Sequence, residues 1–220
     1  MTAQELTSLL LEGTKDSLYM IIICTAVSYL IGLPIGVSLV VTAPDGIRPM
    51  PLYNKVMGFI VNILRSVPFL ILMIALMPYI RKIIGTGIGK EAATAALIVA
   101  AAPFVARLVE QSLLEVDPGV IEAAQAMGAS NFQIIRKVLL PEARPSLLNG
   151  AAVATINILG YTAMAGVVGA GGLGEIAIRY GLYRFQPKIM WITILILVIL
   201  VQIFQEIGVL VVKKYDNRIN

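Results

Sequence analysis

The sequence predicts an all-α integral membrane protein with five transmembrane helices. Of its 220 residues, 58% are hydrophobic and 14% are charged, whereas a soluble domain is about 45–50% apolar and roughly 25% charged. The mean hydropathy is +0.88. Apolar runs of the length that a bilayer requires, roughly 20 residues, recur along the chain. Lipid rather than water is therefore the expected solvent for most of the chain.

The chain carries few of the residue types that enzymatic chemistry requires. It contains no histidine, which removes the commonest metal ligand and the usual general base. Its single cysteine, Cys24, excludes an internal disulfide and a cysteine-rich zinc site. The net charge of +4 is small and dispersed, so no nucleic-acid partner is expected. We predict no catalytic, cofactor-binding or metal-binding residues, and membrane lipid as the main surroundings.

Five apolar segments have the length of a membrane span. The first lies between Asp16 and Asp45, with no charged residue in between. The second contains Arg65 and Pro68; the arginine either reaches back to the membrane surface or is a functional charge within the span. The third is short and rich in alanine, and the fifth is the most apolar. The predicted boundaries are about 17–41, 56–80, 92–109, 147–168 and 189–212, with a polar segment at 110–145.

The two ends of the chain differ in charge. Residues 1–16 contain more acidic than basic side chains, and we predict that they form a periplasmic leader. Residues 213–220 contain more basic than acidic side chains, and we predict that they form a cytoplasmic tail. Five spans place the two ends on opposite sides, and the slight excess of Lys and Arg on the predicted inner side agrees with the positive-inside rule.

Two glycine patterns have simple structural interpretations. Residues 169–174 match the dinucleotide pattern G-x-G-x-x-G, but they follow a predicted membrane helix rather than a strand. We expect a turn or helix break there. Gly32 and Gly36 form a G-x-x-x-G pair around Pro34; this pattern indicates either a kink packed against a neighbouring helix or a dimerisation face.

The polar segment predicts two short helices at the membrane surface. Asp117 and Pro118 suit a helix start, Gly128 suits its end, and Ser130 can cap the next helix. The first helix has a short apolar face, made of Val120, Ile121, Ala124 and Met127. The second continues an apolar stripe up to Pro141, made of Phe132, Ile135, Leu139 and Leu140. The segment is either an ordinary amphipathic connection or a docking element for a partner protein.

This segment resembles the EAA loop of bacterial ABC importer permeases. That pattern is E-A-A, three residues, G, nine residues and then I-x-L-P. The residues that match it are Glu122, Ala123, Ala124, Gly128, Leu140 and Pro141. Val138 stands where isoleucine is usual. The stretches 65–69, 101–104, 136–143 and 169–174 are similar to permeases of the methionine-uptake branch of this family.

The resemblance implies an architecture and a set of partners. The EAA loop would be a cytoplasmic coupling loop between the third and fourth spans, in the bacterial inner membrane. Two copies of the chain would form the translocation pathway, served by two cytoplasmic ABC ATPase subunits and an extracytoplasmic methionine-binding protein. ATP and magnesium would bind the ATPase, so this chain would not itself be an enzyme. L-methionine is the implied substrate, with D-methionine as a further candidate and another small amino acid as the alternative.

The resemblance also assigns the residues that contact the ATPase. They lie in the coupling loop: Val120, Ile121, Glu122, Ala123, Ala124, Met127, Gly128, Leu140 and Pro141. Glu122 would make a polar or ionic contact, the two alanines would permit close approach, and Gly128 would supply the bend.

The fourth predicted span carries a candidate pathway. Asn157, Tyr161 and Met164 are spaced by four and three residues and therefore share one helix face. They either line or gate the route, or bond to neighbouring helices. An autonomous carrier, the alternative from another class, would need intramembrane carboxylates for coupling. Glu206 is the only acidic residue within the predicted spans.

Overall fold

The computed structural model describes residues 2–215, and every regular element in that range is helical. The ten α-helices are α1 (Ala3–Val41), α2 (Pro51–Ser66), α3 (Phe69–Ile84), α4 (Lys90–Leu114), α5 (Pro118–Ala126), α6 (Asn131–Ile134), α7 (Leu140–Glu142), α8 (Arg144–Ala165), α9 (Gly172–Ile176) and α10 (Pro187–Tyr215). The remaining helical turns are two π-helical stretches, Ile135–Leu139 and Ala177–Leu182, and a 3₁₀ turn, Gly166–Val168. The all-helical prediction is confirmed for this range.

Four of these helices are long and apolar enough to cross a membrane: α1, α4, α10 and α8 with the 3₁₀ turn that follows it. The second predicted span, 56–80, is instead two helices, α2 and α3, which meet at an angle of 104°. Pro68 explains the break, because proline has no N–H to donate and disfavours helical geometry in the residue before it. Counting this bent pair as one span gives five, and counting it as none gives four.

Several predicted boundaries differ from the observed ones. The leader predicted at 1–16 is helical from Ala3 onward and continuous with the first span in α1. The helix that contains the third predicted span, 92–109, is longer than that span, because α4 covers Lys90–Leu114. The last helix continues to Tyr215, and the rest of the predicted tail, including Arg218, lies outside the described residues.

The described chain divides into two compact units. The first comprises the residues up to Ser28, Val67–Ala101 and Thr155–Gln205. Its core contains two clusters of fully buried side chains, centred on Met20 and Leu97 in one and on Ile21 and Leu173 in the other. Close van der Waals packing of such groups is what holds helices together in a membrane.

Polar contacts in the first unit join α1 to the glycine-rich segment 169–174 and to the start of α4. The backbone N–H of Leu173 donates to the Ser17 hydroxyl at 2.9 Å. Lys90 pairs with Asp16 at 2.7 Å. Gly169, Gly171 and Gly172 all have φ of +77°, a conformation that glycine adopts without strain. The segment is therefore a packed turn, as predicted.

The second unit comprises Tyr29–Ser66, Ala102–Ala154 and the residues from Glu206 onward. Its core is built on α4, with the buried side chains Val105, Val109, Leu113, Val116, Leu139, Ala143 and Ala154. Gly36 lies directly against α4, where an added Cβ would be 2.6 Å from the Ala106 carbonyl oxygen. Gly32 lies equally close to Val105. The G-x-x-x-G pair thus lets α1 pack closely on α4 within one chain.

Candidate functional site

The segment that resembles an EAA loop contains a well-formed helix start. The Asp117 side chain accepts a hydrogen bond from the Gly119 backbone N–H at 2.8 Å, and Pro118 occupies the first turn of α5. An Asp cap satisfies an otherwise free N–H group, and proline at this position has the required φ and no N–H to lose. The predicted start of this helix is confirmed.

The same helix ends in a glycine-based cap. Gly128 has φ of +79°, its N–H donates to the Gln125 carbonyl at 2.9 Å, and the Ala129 N–H donates to the Ala124 carbonyl at 3.1 Å. This pair of bonds is the Schellman motif, which satisfies the last free carbonyls of a helix. The predicted role of Gly128 as a helix end is confirmed.

A second cap follows immediately. The Ser130 hydroxyl accepts from the Gln133 N–H at 3.4 Å, and the Gln133 side chain accepts from the Ser130 N–H at 2.8 Å. These reciprocal bonds form a capping box. The turn between α5 and α6 is consequently determined at both ends by local hydrogen bonds.

The side chains of α5 divide into an inner and an outer face. Ala124 is 3% exposed, and Ile121 packs against the core of the second unit. Val120 is 41% exposed and Met127 is 82% exposed. The four residues of the predicted apolar face therefore differ in exposure, because Ile121 and Ala124 are covered by the chain and Val120 and Met127 are exposed.

The outer face of α5 is the candidate docking surface. Val120, Ala123 and Met127 are spaced by three and four residues and all are exposed, so they lie on one side of the helix. Glu122 is also exposed, but it lies about 100° around the helix from Ala123 and further from Val120 and Met127. A compact apolar patch is thus presented by a helix with both ends capped, and one exposed carboxylate lies on the adjoining side.

The segment after α6 is widened into a π-helical turn. The Leu140 N–H donates to the Ile135 carbonyl, five residues earlier. Pro141 favours this widening, because it cannot donate and its ring would crowd the carbonyl of Lys137 in a regular α-helix. Ile134 and Leu139, five positions apart, are both fully buried as a result. Phe132, the first residue of the predicted apolar stripe, is 67% exposed.

The two remaining EAA residues differ in burial. Leu140 is half-buried against the core of the second unit. Pro141 is exposed in the first turn of α7. Of the nine residues predicted for coupling, Ile121, Ala124 and Leu140 support the helix from within, whereas the others are exposed in the described chain.

The candidate pathway residues lie on a largely open face of α8. Asn157 is exposed and Met164 is 50% exposed. Tyr161 is half-buried and stacks on Phe69, with ring centroids 4.2 Å apart and planes 9° apart. Gly160, on the same face, has no atom within 4 Å of an added Cβ. This arrangement leaves polar and small groups of a membrane helix uncovered, with one aromatic pair connecting α8 to α3.

Sequence reasoning did not predict the role of Arg107. Its guanidinium pairs with Glu110, donates to the Asn62 side-chain oxygen at 2.7 Å and reaches the Gly58 carbonyl at 3.3 Å. These contacts connect α4 to α2. The spacing of Arg107 and Glu110 is a detectable signal for an ion pair on one helix face.

Comparison with known proteins identifies the family. Residues 32–216 match the model for binding-protein-dependent transport system inner membrane components. The probable D-methionine transport system permease protein MetI of Vibrio cholerae is 50% identical over 96% of this chain and 94% of its own length. The Escherichia coli D-methionine transport system permease protein MetI is 48% identical over 72% of this chain and 73% of its own length.

A solved structure agrees with these matches over nearly the whole chain. A chain of the MetNI methionine ABC transporter, solved in inward-facing conformations, superposes with a TM-score of 0.96 and is 44% identical, covering 99% of this chain and 100% of its own length. A chain of an amino acid ABC transporter at 22% identity, with a TM-score of 0.79, shares the fold. This chain belongs to the family of binding-protein-dependent transport system inner membrane components.

Proposed function

We propose that this chain is the permease subunit of an ATP-driven methionine importer. The observation that carries the proposal is the superposition on a chain of the MetNI methionine ABC transporter, at 44% identity over 99% of this chain. The names of the Vibrio cholerae and Escherichia coli relatives support the same substrate. The other small amino acids and an autonomous carrier have no comparable support.

The outer face of α5 is proposed to dock into a groove on the ATPase subunit. Val120, Ala123 and Met127 supply an apolar patch, and a flexible thioether adapts well to a partner surface. Glu122 would supply a polar or ionic contact from the adjoining side of the helix. Because α5 is capped at both ends and anchored by Ala124, movement of the ATPase would be transmitted as rigid-body motion.

A homodimer is proposed to form the pathway around the exposed face of α8. Few helices per chain are available to enclose a solute route, and a twofold axis is the commonest solution. Asn157, Gly160 and Met164 would face the second copy or the solute, with Tyr161 at the edge. The stacked Phe69 would hold the Tyr161 ring in position.

The proposed orientation places α5 in the cytoplasm and the N-terminus outside. The segments at 85–90 and 169–188 would then meet the methionine-binding protein. This arrangement is consistent with the slight positive-inside bias of the sequence. Inner-membrane location follows from the family's description.

Co-purification with the cognate ATPase tests the docking surface. The Glu122→Arg/Met127→Arg double variant is expected to lose the ATPase from detergent-solubilised membranes, because it places two cations on a patch that is now apolar and acidic. Glu115→Arg is the matched control: it reverses an exposed charge shortly before α5 and is expected to retain the ATPase. Full retention by a correctly inserted double variant would overturn the docking assignment.

Uptake by proteoliposomes tests the substrate. The complex, its binding protein and internal ATP are expected to accumulate labelled methionine, and excess unlabelled methionine should compete better than alanine, leucine or glutamine. Uptake by this chain without ATPase or ATP would favour an autonomous carrier. Equal competition by the other amino acids would exclude methionine specificity.

A further inference from the structure

A basic pocket lies where α8 begins and α10 ends. The cavity has a volume of about 670 Å³. Its lining comprises Arg136, Leu140, Pro141, Glu142, Arg144, Pro145, Lys214 and Tyr215; we call this set the basic pocket. Three cationic side chains thus face one carboxylate, which leaves a net positive charge of two on the lining.

These charges are free of ion pairs with other described side chains. Within the range that the structure describes, Arg136, Arg144, Lys214 and Glu142 take part in none of the pairs closer than 4.0 Å. All four are exposed. The positive potential of the pocket is therefore available to an external anion.

One cation of the pocket is held in place by an aromatic ring. The Arg144 guanidinium lies 3.9 Å from the ring centroid of Tyr215, which is a favourable cation–π distance. Arg144 is the first residue of α8, and Tyr215 is the last described residue of α10. Tyrosine at the end of a membrane helix suits the interface between lipid and water.

An apolar surface leads along α10 toward the pocket. Ile207 and Leu210 are 52% and 65% exposed, and they precede Lys214 by seven and four residues. The three side chains therefore share one face of α10. A molecule with an anionic head and apolar chains would match this succession of a cation and exposed aliphatic groups.

We propose that the basic pocket binds the headgroup of an anionic phospholipid, with its acyl chains along α10. The phosphate would contact Arg136, Arg144 and Lys214, in the manner of basic pockets that bind acidic headgroups between membrane helices. Assignment to the cytoplasmic leaflet rests on the proposed orientation, whereas binding itself does not.

A single-tryptophan variant can report this binding. Trp191 is the only tryptophan, so Trp191→Phe combined with Tyr215→Trp places one fluorophore at the pocket and retains the cation–π contact. The full-length chain is reconstituted in two samples of phosphatidylcholine bilayers. One sample contains phosphatidylglycerol brominated on the acyl chain, and the other contains phosphatidylcholine brominated in the same way. Brominated phosphatidylglycerol is expected to quench with about fivefold preference or more, as each interfacial cation contributes roughly 1 kcal/mol.

Neighbouring lysines provide a matched control. Arg136→Gln/Lys214→Gln is expected to remove the preference, whereas Lys137→Gln/Lys213→Gln, with the same charge loss outside the pocket lining, is expected to retain it. The charge-conserving Arg136→Lys/Lys214→Arg variant should also retain it, which controls for folding. Equal quenching by both lipids, or equal loss in both neutralised variants, would overturn the proposal.

Two further arms separate the lipid from other occupants. Inorganic phosphate at millimolar concentration is expected to leave the preference unchanged; its abolition would assign the site to a free phosphate. The preference should also persist in the complex purified with its ATPase, and loss there would assign the pocket to the protein interface. Neither readout requires transport, so failure of this proposal is distinguishable from failure of the importer proposal.

Discussion

Gly128 allows the geometry of the α5 end to be tested separately from contact with the partner. Its φ of +79° is in the left-handed region, and an added Cβ would have no atom within 4 Å. Gly128→Ala is therefore expected to cost only the backbone strain, about 1–2 kcal/mol. Gly128→Asn should cost less, because asparagine tolerates this conformation.

Gly128→Pro is the extreme case. It would force φ to about −65° and remove the N–H that donates to the Gln125 carbonyl, a change of about 3 kcal/mol or more. If the ATPase binds only the capped form of α5, each variant lowers affinity in proportion to its cost. For Gly128→Ala the affinity for the ATPase is expected to fall by at most about 5- to 30-fold.

The assay is the affinity of the purified ATPase for each variant in nanodiscs, with membrane insertion checked in parallel. The expected order of affinity is glycine, asparagine, alanine, proline. Gly58→Ala serves as the control, because Gly58 is within α2 and a Cβ there would meet only ordinary contacts at 3.8 Å and beyond. If asparagine binds worse than alanine, side-chain bulk decides the affinity, and the reasoning from φ would be refuted.

Two further predictions concern packing within the second unit. Gly36→Ala is expected to lower the unfolding temperature of the detergent-solubilised protein and its free energy of unfolding by about 1–3 kcal/mol. The reason is that the added Cβ would lie 2.6 Å from the Ala106 carbonyl oxygen and 2.7 Å from Val109. An unchanged Tm would mean that α1 and α4 separate freely. Arg107→Gln should also destabilise, by about 1–3 kcal/mol, since it leaves the Glu110 carboxylate without its partner. Adding Glu110→Gln should restore part of that loss in a double-mutant cycle, and strictly additive losses would show that the pair contributes nothing.

The turns of the segment that resembles an EAA loop could be predicted from the sequence because their causes are local. Asp117, Pro118, Gly128 and Ser130 each determine backbone geometry within three or four residues of themselves. The same residue types in the same order have the same hydrogen-bonding options in any fold. Their spacing therefore predicted where α5 begins and ends and where the next cap lies.

The direction in which α5 faces is a tertiary property. Ile121 and Val120 are equally apolar neighbours, yet only Ile121 packs on the core of the second unit. Which of them is covered depends on where that core lies, and the core includes Leu139, which belongs to the widened turn before Pro141. No local pattern contains that information.

The sequence by itself thus determined the membrane class, the long apolar helices and the helix ends at Asp117, Gly128 and Ser130, because hydropathy and capping depend on nearby residues. The tertiary structure alone decided which side of α5 is exposed and which residues Arg107 contacts. Arg107 meets Asn62 across 45 positions of sequence. Such pairings depend on how distant helices pack, and packing is a property of the whole chain.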